Sequence, residues 1–165
     1  MTRGTLIVHS ATRALAPHIE WAVNGVLDAP ARLAWRPQPA APHLVRTQIG
    51  WHGPSGTGAR LATALRGWDS LRFEVTEEAS AAEAGSRWMC TPALGIHHAS
   101  IDAEGNATLT EDRIRHCLAL GAGSAARIAD ELGKALGEAW DLELEHFREG
   151  SDSDAQHRLM LVTSA

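Results

Sequence analysis

Residues 44–76, LVRTQIGWHGPSGTGARLATALRGWDSLRFEVT, decide the fold. Apolar and polar side chains alternate over 45–51, which is typical of a strand with one buried face. A glycine-rich turn follows over 53–58, and leucine and tryptophan then recur over 61–68 at the spacing of one helix face. Alternation returns over 71–76. The stretch therefore predicts a strand, a helix and a second strand in that order.

The preceding residues repeat this order. An apolar run over 5–9 predicts a buried strand, helical periodicity extends over 15–27, and alternation over 31–37 predicts another strand. Prolines in the following PQPAAP segment predict a turn. Two consecutive strand–helix–strand units give the order βαββαβ. Its simplest architecture is a ferredoxin-like sandwich, with two helices on one face of an antiparallel sheet, so the expected fold class is α+β.

The later residues predict a C-terminal extension of a β-hairpin, helices and a strand. Its predicted elements are a loop over 77–85, strands over 87–92 and 96–102, helices capped by Thr110 and Ser124, and a strand over 157–163. We expect one domain over residues 1–165, in which the duplicated core occupies 1–78 and the extension, 79–165, packs on it.

Composition excludes several classes of protein. The chain has 165 residues, of which 44% are hydrophobic and 21% charged, as in ordinary folded domains. A formal net charge of -5 gives no footprint for nucleic acid or anionic membranes. The apolar runs are too short for a signal peptide or a membrane span, so a cytoplasmic location is expected. The two cysteines, Cys90 and Cys117, are then expected to be reduced and buried.

The glycine-rich turn is the strongest candidate binding site. Glycines let the backbone approach a ligand closely, and a helix N-terminus offers unpaired N–H groups to an anion. The residues expected to hold a small anionic ligand are Gly56, Thr57, Gly58 and Arg60, with help from Arg46. The turn is neither a Walker loop nor a dinucleotide fingerprint nor a nucleophile elbow. The alternative is a tight turn that requires positive φ angles. If the site is real, Gly58→Asp should abolish binding without unfolding the protein.

Arginine side chains predict a second candidate surface. On the alternating strands, Arg36 and Arg72 fall on the sheet face opposite the two helices, together with Arg46. This face is either covered by the C-terminal extension or open to an anionic ligand or an acidic protein partner. Trp21 lies off the apolar stripe of its helix and is the best aromatic candidate for partner binding.

Catalytic and metal sites are not predicted. Nine histidines are present, but none forms a recognised ligand spacing, and the adjacent His97 and His98 point to opposite faces of a strand. Neither cysteine has the context of a nucleophile. We therefore predict no catalytic residues, no metal and no cofactor, and the balance is against an enzyme.

Four stretches together resemble a known family: PHIEWAV (17–23), APARLAWRPQPA (29–40), GTGARLATALRGWDSLRFEVTEE (56–78) and TPALG (91–95). They are similar to an actinobacterial family catalogued only as a conserved domain of unknown function, and the similarity runs along nearly the whole chain. The resemblance implies a link to acyl-chain metabolism, because genes of this family often lie beside the genes for acyl carrier protein and ketoacyl synthase. It implies no activity and no catalytic residues.

Three functions follow from these observations. The first is a non-catalytic domain that binds a small anion of unknown identity or has a regulatory role, with a link to acyl-chain metabolism. The second is an interaction partner of the fatty-acid synthesis machinery, with an acidic protein such as acyl carrier protein on the arginine-bearing face. The third is an enzyme of unrecognised class, which would show a pocket with converging polar groups.

Overall fold

The computed structural model describes residues 1–28, 30–80 and 83–148. Its elements are β1 (Thr2–Thr12), α1 (Ala16–Leu27), β2 (Arg36–Gln38), β3 (Ala41–Gly53), α2 (Thr57–Leu65), β4 (Arg72–Glu77), β5 (Gly85–Thr91), β6 (Gly95–Ile101), β7 (Ala107–Thr108), α3 (Glu111–Leu120), α4 (Ala125–Leu136) and α5 (138–148). The strand predicted over 157–163 lies outside the described residues.

The seven strands form one sheet in the order β2-β3-β1-β4-β5-β6-β7. Every neighbouring pair is antiparallel. Within the described ranges the fold is therefore a mixed α+β arrangement of a seven-stranded antiparallel sheet and five helices, which confirms the predicted fold class at this level.

Helices α1 and α2 cover one face of the sheet because each carries an apolar stripe. Their fully buried side chains include Ile19, Val23, Leu61 and Leu65. These belong to one apolar core with the inward side chains of the strands, among them Leu6, Val8, Trp51, Phe73 and Val75. Alternation along β4 then sends Arg72, Glu74 and Thr76 to the other face.

Helix α5 covers that second face. Leu144 of α5 is fully buried, and Arg148 forms an ion pair with Glu74 of β4. Gly137 separates α4 from α5 with a left-handed φ of 84°. A Cβ atom at Gly137 would lie 2.6 Å from His97 Cδ2, so this break also needs the absence of a side chain. The sheet therefore lies between helices on both faces, which agrees with the alternative in which the C-terminal extension covers the face opposite α1 and α2.

Strand β2 corrects a prediction. Alternation predicted a strand over 31–37, but only Arg36–Gln38 pair with β3. Leu33 is buried in the core without being part of a strand. Pro37 lies opposite Val45 in β2, at the edge of the sheet, where a missing N–H group costs little. The predicted proline turn is correspondingly shorter, since β3 already begins at Ala41.

The helix caps and cysteines agree with the sequence. Thr110 Oγ1 accepts a hydrogen bond from Arg113 N at 3.3 Å, and Ser124 Oγ accepts one from the Arg127 N–H. Cys90 and Cys117 are free and buried. Across the described ranges, every helix is too short or too polar to cross a membrane.

Candidate functional site

The predicted binding loop joins β3 to α2. Gly56 is the N-cap residue of α2 and has a left-handed φ of 84°, as the tight-turn alternative requires. Thr57 is buried, and its hydroxyl donates to Pro54 O at 2.7 Å. At the N-terminus of α2, as of any helix, the first backbone N–H groups point outward beyond the end of the helix. This arrangement favours an anion.

A carboxylate of the protein itself holds these N–H groups. Gly56 N donates to Glu77 Oε1 and Gly58 N donates to Glu77 Oε2, both at 2.8 Å. Glu77 lies at the end of β4 and is only 8% exposed. An anion from solution would have to displace this carboxylate and leave it buried without its partners, which is costly.

Sequence reasoning missed Glu77 because it placed residue 77 in a loop. The signal was present in the alternation of β4, where Phe73 and Val75 face the α1–α2 side and Glu77 follows in the same phase. A carboxylate at the end of a strand, beside the first turn of a neighbouring helix, is a predictable cap for that helix.

Gly58 is packed too closely to accept a side chain. A Cβ atom there would lie 2.7 Å from Trp88 Cζ3 and 2.8 Å from Glu77 Oε2. The expectation that Gly58→Asp would leave the fold intact is therefore wrong. The glycine is required by packing as well as by the turn, so this substitution would not separate binding from folding.

Arg46 lies apart from the loop N–H groups, whereas Arg60 lies beside the loop. Arg46 is seven residues before Gly53 on β3, which is about 23 Å along an extended strand. In the strand register it lies opposite Arg36 of β2. Arg60 is exposed on α2 and donates from Nη2 to Thr57 Oγ1 at 3.2 Å. Of the five predicted ligand-binding residues, the structure brings together Gly56, Thr57 and Gly58, with Arg60 beside them.

Arg72 lies under α5 and is not on an open surface. Its Nε donates to Glu143 Oε1 at 3.0 Å, and its guanidinium carbon is 4.7 Å from the centre of the Phe147 ring. Arg36, by contrast, is exposed. Of the two alternatives for the arginine-bearing face, the covered one applies to Arg72.

Glu74 is the centre of a buried ionic cluster that consists of Glu74, His9, Arg87, Arg148 and Asp141. Its carboxylate is 2.7 Å from His9 Nε2, 2.8 Å from Arg87 Nη2 and 2.6 Å from Arg148 Nη2. Asp141 Oδ1 accepts hydrogen bonds from both guanidiniums, at 2.7 and 2.9 Å. The cluster joins β1, β4 and β5 to α5.

The electrostatic balance at Glu74 is set by two opposing effects. Burial of the carboxyl group would raise its pKa. The hydrogen bond and charge of His9, together with the charges of Arg87 and Arg148, outweigh burial and lower the pKa of Glu74 to about 2. Glu74 is 8% exposed and both of its carboxylate oxygens accept hydrogen bonds, so the cluster holds α5 on the sheet.

Trp21 is exposed, as its helical phase predicted. Its side chain is 79% exposed on α1. It lies two residues from each of the buried Ile19 and Val23, or about 200° around the helix from both. Other large apolar side chains, between 39% and 71% exposed, lie on α3, α4 and α5: Ile114, Leu118, Leu120, Leu136 and Leu142.

Comparison with known proteins identifies one family. The family model described as "Protein of unknown function (DUF3145)" matches residues 5–161. The curated proteins and the solved structures contain no match to the chain. Because the matched range covers nearly all of the sequence, the chain belongs to the DUF3145 family.

Proposed function

We propose that the protein is a non-catalytic binding domain that recognises another protein, with Trp21 at the centre of the recognition surface. The observation that carries this proposal is the 79% exposure of the Trp21 side chain, opposite the buried stripe of α1. Tryptophan is enriched among the residues that contribute most to protein–protein affinity, because its ring buries a large apolar area with few rotatable bonds.

The buried charged groups support a non-catalytic role. Arg87 and Arg148 each donate hydrogen bonds to the Glu74 carboxylate. A catalytic acid or base must reach a substrate proton, whereas these groups are engaged in holding α5 against the sheet. The ion pairs of these residues are explained by the attachment of α5 to the sheet, without a catalytic role.

The proposal includes a ferredoxin-like core over residues 2–77. The order β2-β3-β1-β4, antiparallel throughout and crossed by α1 and α2, supports this interpretation. Domains of this topology serve as small-ligand sensors and as binding modules. That analogy concerns the fold alone, so the function is argued from Trp21.

The test compares truncation of Trp21 with truncation of a second exposed apolar side chain. Wild-type protein, Trp21→Ala and Leu142→Ala are immobilised, and the proteins they capture from a lysate of the native host are quantified by mass spectrometry. Leu142 is a matched control because it is 71% exposed on α5, on the other side of the sheet. We expect a protein captured by the wild type and by Leu142→Ala to be lost with Trp21→Ala. Identical capture by all three would contradict the proposal.

Anion binding at the glycine loop is a second candidate. The specific observation in its favour is that the N–H groups of Gly56 and Gly58 already hold a carboxylate, so the loop has the stereochemistry for an oxyanion. In this version the Glu77 carboxylate occupies the site until a ligand replaces it, and the ligand is a phosphate or carboxylate compound.

Thermal unfolding of the wild type and Glu77→Ala tests this candidate. The ligand panel contains phosphate, nucleotides, coenzyme A and acyl-coenzyme A. A compound at about 100 times its dissociation constant should add roughly 2.7 kcal/mol, which corresponds to several degrees in Tm. A shift in both proteins, larger in Glu77→Ala, is the expected result. A shift confined to Glu77→Ala would show that Glu77 is a fixed cap and would contradict a ligand role for the loop.

Two further parts of the proposal concern context. The free, buried Cys90 and Cys117 support a cytoplasmic location, where thiols stay reduced. The link to acyl-chain metabolism comes from the family resemblance, and purified acyl carrier protein is the direct probe for it. Binding that is lost with Trp21→Ala and kept with Leu142→Ala would support the link, and absence of binding would contradict it.

A further inference from the structure

Helix α1 contains a glycine that the rest of the molecule does not require. Gly25 lies inside α1 and does not have a positive φ. A Cβ atom at this position would meet no other atom within 4 Å. Glycine inside a helix lowers the stability of that helix relative to alanine. Neither backbone geometry nor internal packing explains Gly25, so the explanation lies in what approaches α1 from outside.

Trp21 lies one helical turn before this glycine, on the same face. Positions 18, 21, 25 and 28 recur at intervals of three or four, which is the spacing of neighbours on one helix surface. His18, Trp21, Gly25 and Asp28 are all exposed, and the Trp21 side chain is 79% exposed. The rise from Trp21 to Gly25 is about 6 Å. This face therefore presents a large projecting ring beside a position without a side chain.

The same face is complementary to itself. Two copies of α1 can lie antiparallel, related by a two-fold axis at the level of position 23. Because positions 21 and 25 are equally far from 23, Trp21 of one protomer then lies opposite the partner's Gly25. Positions 18 and 28 are also equally far from 23, so His18 lies opposite the partner's Asp28. A two-fold axis forms each of these contacts twice.

The charges at the ends of α1 favour this antiparallel arrangement. A helix carries a partial positive charge at its N-terminus and a partial negative charge at its C-terminus. Helix α1 has no acidic residue in its first turn and no basic residue in its last, whereas His18 lies in the first turn and Asp28 is the C-cap residue. A protonated His18 and an ionised Asp28 are therefore unfavourably placed in their own helix. Beside an antiparallel partner, each lies at the end of the opposite polarity.

We infer that the α1 outer face, defined by His18, Trp21, Gly25 and Asp28, joins two copies of the chain in a symmetric dimer. This inference rests on the proposed function and names the protein that Trp21 recognises. Each Trp21 ring packs on the backbone at the partner's Gly25, and each His18 donates a hydrogen bond to the partner's Asp28. Two tryptophan rings bury roughly 300–500 Å². One pair of short helices stays below the roughly 1,200 Å² of a standard interface, so the dimer is weak and reversible.

Two other occupants fit the α1 outer face less well. A nucleic acid needs a basic surface, whereas this face has one imidazole and one carboxylate, with Glu20 next to Trp21 in the chain. A partner whose charges all have one sign would meet a like charge at one end of the face. A face that carries both signs matches a partner that carries them in reverse order, which a second copy supplies.

Sedimentation velocity over a concentration series in the micromolar range tests the inference. We expect the wild type to change from monomer to dimer as its concentration rises. Trp21→Ala should weaken the dimer at least about tenfold because the ring is lost. Gly25→Leu should weaken it by a similar factor, because the added side chain occupies the place of the partner's ring. A wild type that stays monomeric, or a Gly25→Leu dimer as tight as that of the wild type, would overturn the inference.

Gly25→Leu also separates association from folding. Its side chain has open space within its own molecule, so the urea midpoint should not fall below that of the wild type. The matched controls are Ala129→Leu, which adds a leucine at an exposed position of α4, and Leu142→Ala, which truncates an exposed side chain of α5. Both controls should dimerise as the wild type does. Loss of the dimer in either control would overturn the assignment to α1.

The antiparallel orientation is tested by disulfide cross-linking of His18→Cys mixed with Asp28→Cys. One variant carries an affinity tag, so that mixed and unmixed dimers differ in size. The native Cys90 and Cys117 are buried and therefore poorly accessible to the oxidant. Oxidation with diamide should join the two variants to each other in preference to joining either variant to itself. Preferential cross-linking of His18→Cys to itself would indicate parallel helices and would overturn the inference.

Failure of this inference differs from failure of the proposed function. If the wild type is monomeric but captures a host protein only when Trp21 is present, the second copy is wrong and recognition at Trp21 stands. If the wild type neither self-associates nor captures a protein through Trp21, both fail. A dimer that Trp21→Ala leaves unchanged uses another surface, which overturns the inference and leaves the proposed function to the capture experiment.

Discussion

Two helical glycines show how strongly a single position depends on its surroundings. Gly58 faces Trp88 and Glu77 so closely that an added methyl group would lie within 3 Å of both. Gly25 of α1 has open space within 4 Å and ordinary helical φ. A glycine inside a helix costs conformational entropy relative to alanine, so the space around it decides the effect of substitution.

We expect Gly58→Ala to lower the free energy of unfolding by roughly 1–3 kcal/mol, because Trp88 and Glu77 must shift. Gly25→Ala should raise it by about 0.5–1 kcal/mol, since the methyl group meets nothing and alanine favours the helix. Urea unfolding of both variants measures the difference. Equal effects of the two substitutions would contradict the close packing at Gly58.

Single residues also mark the limit of prediction from sequence. The exposure of Trp21 was predictable because helical phase is a local property, set by Ile19 and Val23 beside it. The role of Glu74 was not, because its partners His9, Arg87 and Arg148 come from distant parts of the chain. Alternation predicts the face on which a carboxylate lies, and only the tertiary fold decides what covers that face.

At the scale of elements, α5 is attached to the sheet largely by charge. One side chain of this helix, Leu144, is fully buried, whereas Asp141, Glu143 and Arg148 form ion pairs with the strands. Trp140, Leu144 and Phe147 continue the apolar spacing of α4 past Gly137 in the sequence. The helix itself was therefore predictable, and its attachment was not.

Arg148→Met tests the attachment. The substitution keeps much of the side-chain volume but removes the guanidinium that contacts Glu74 and Asp141. We expect the free energy of unfolding to fall by roughly 1–3 kcal/mol, because a buried carboxylate loses a charged donor. Hydrogen exchange of the α5 amides should become faster. Arg127→Met, at an exposed position of α4, is the control and should change stability by less than about 0.5 kcal/mol. A similar loss in both variants would contradict the attachment by charge.

On the scale of the whole molecule, the two faces of the sheet differ in chemistry. Helices α1 and α2 pack on apolar side chains of one face, and α5 forms ion pairs with the other. The sequence predicted the order of the first four strands and two helices, since each element has its own periodicity. It predicted cover by the C-terminal extension as one alternative for the second face, but it did not identify α5 as the cover, because that contact joins residues far apart in the chain, such as Glu74 and Arg148. The exposed α1–α2 layer and the covered arginine face follow from this one arrangement.

Global stability should depend on acid pH in a defined way. The folded protein lowers the pKa of Glu74 from 4.5 to about 2, so the carboxylate contributes stability above its unfolded pKa and loses it as pH falls towards the folded one. The groups that face Glu74 are His9, Arg87 and Arg148, with Asp141 beside them. The contribution lost between pH 4.5 and 2 is roughly 3 kcal/mol.

Urea midpoints measured across this range for the wild type and Glu74→Gln check the prediction. The variant is less stable at neutral pH, since two guanidiniums lose their shared carboxylate. Its stability should fall less steeply below pH 4.5 than that of the wild type, because glutamine does not titrate. Parallel curves for the two proteins would show that Glu74 is not the group responsible.

The ionic cluster around Glu74 also has a consequence for the order of events during synthesis. His9 and Glu74 emerge from the ribosome long before Arg148, so a nascent chain that has reached only β6 holds this carboxylate with part of its counter-charge. The second helical side of the sheet can close only after α5 has been translated. A prematurely terminated chain therefore exposes polar sheet surface that quality-control proteases can distinguish from the finished protein.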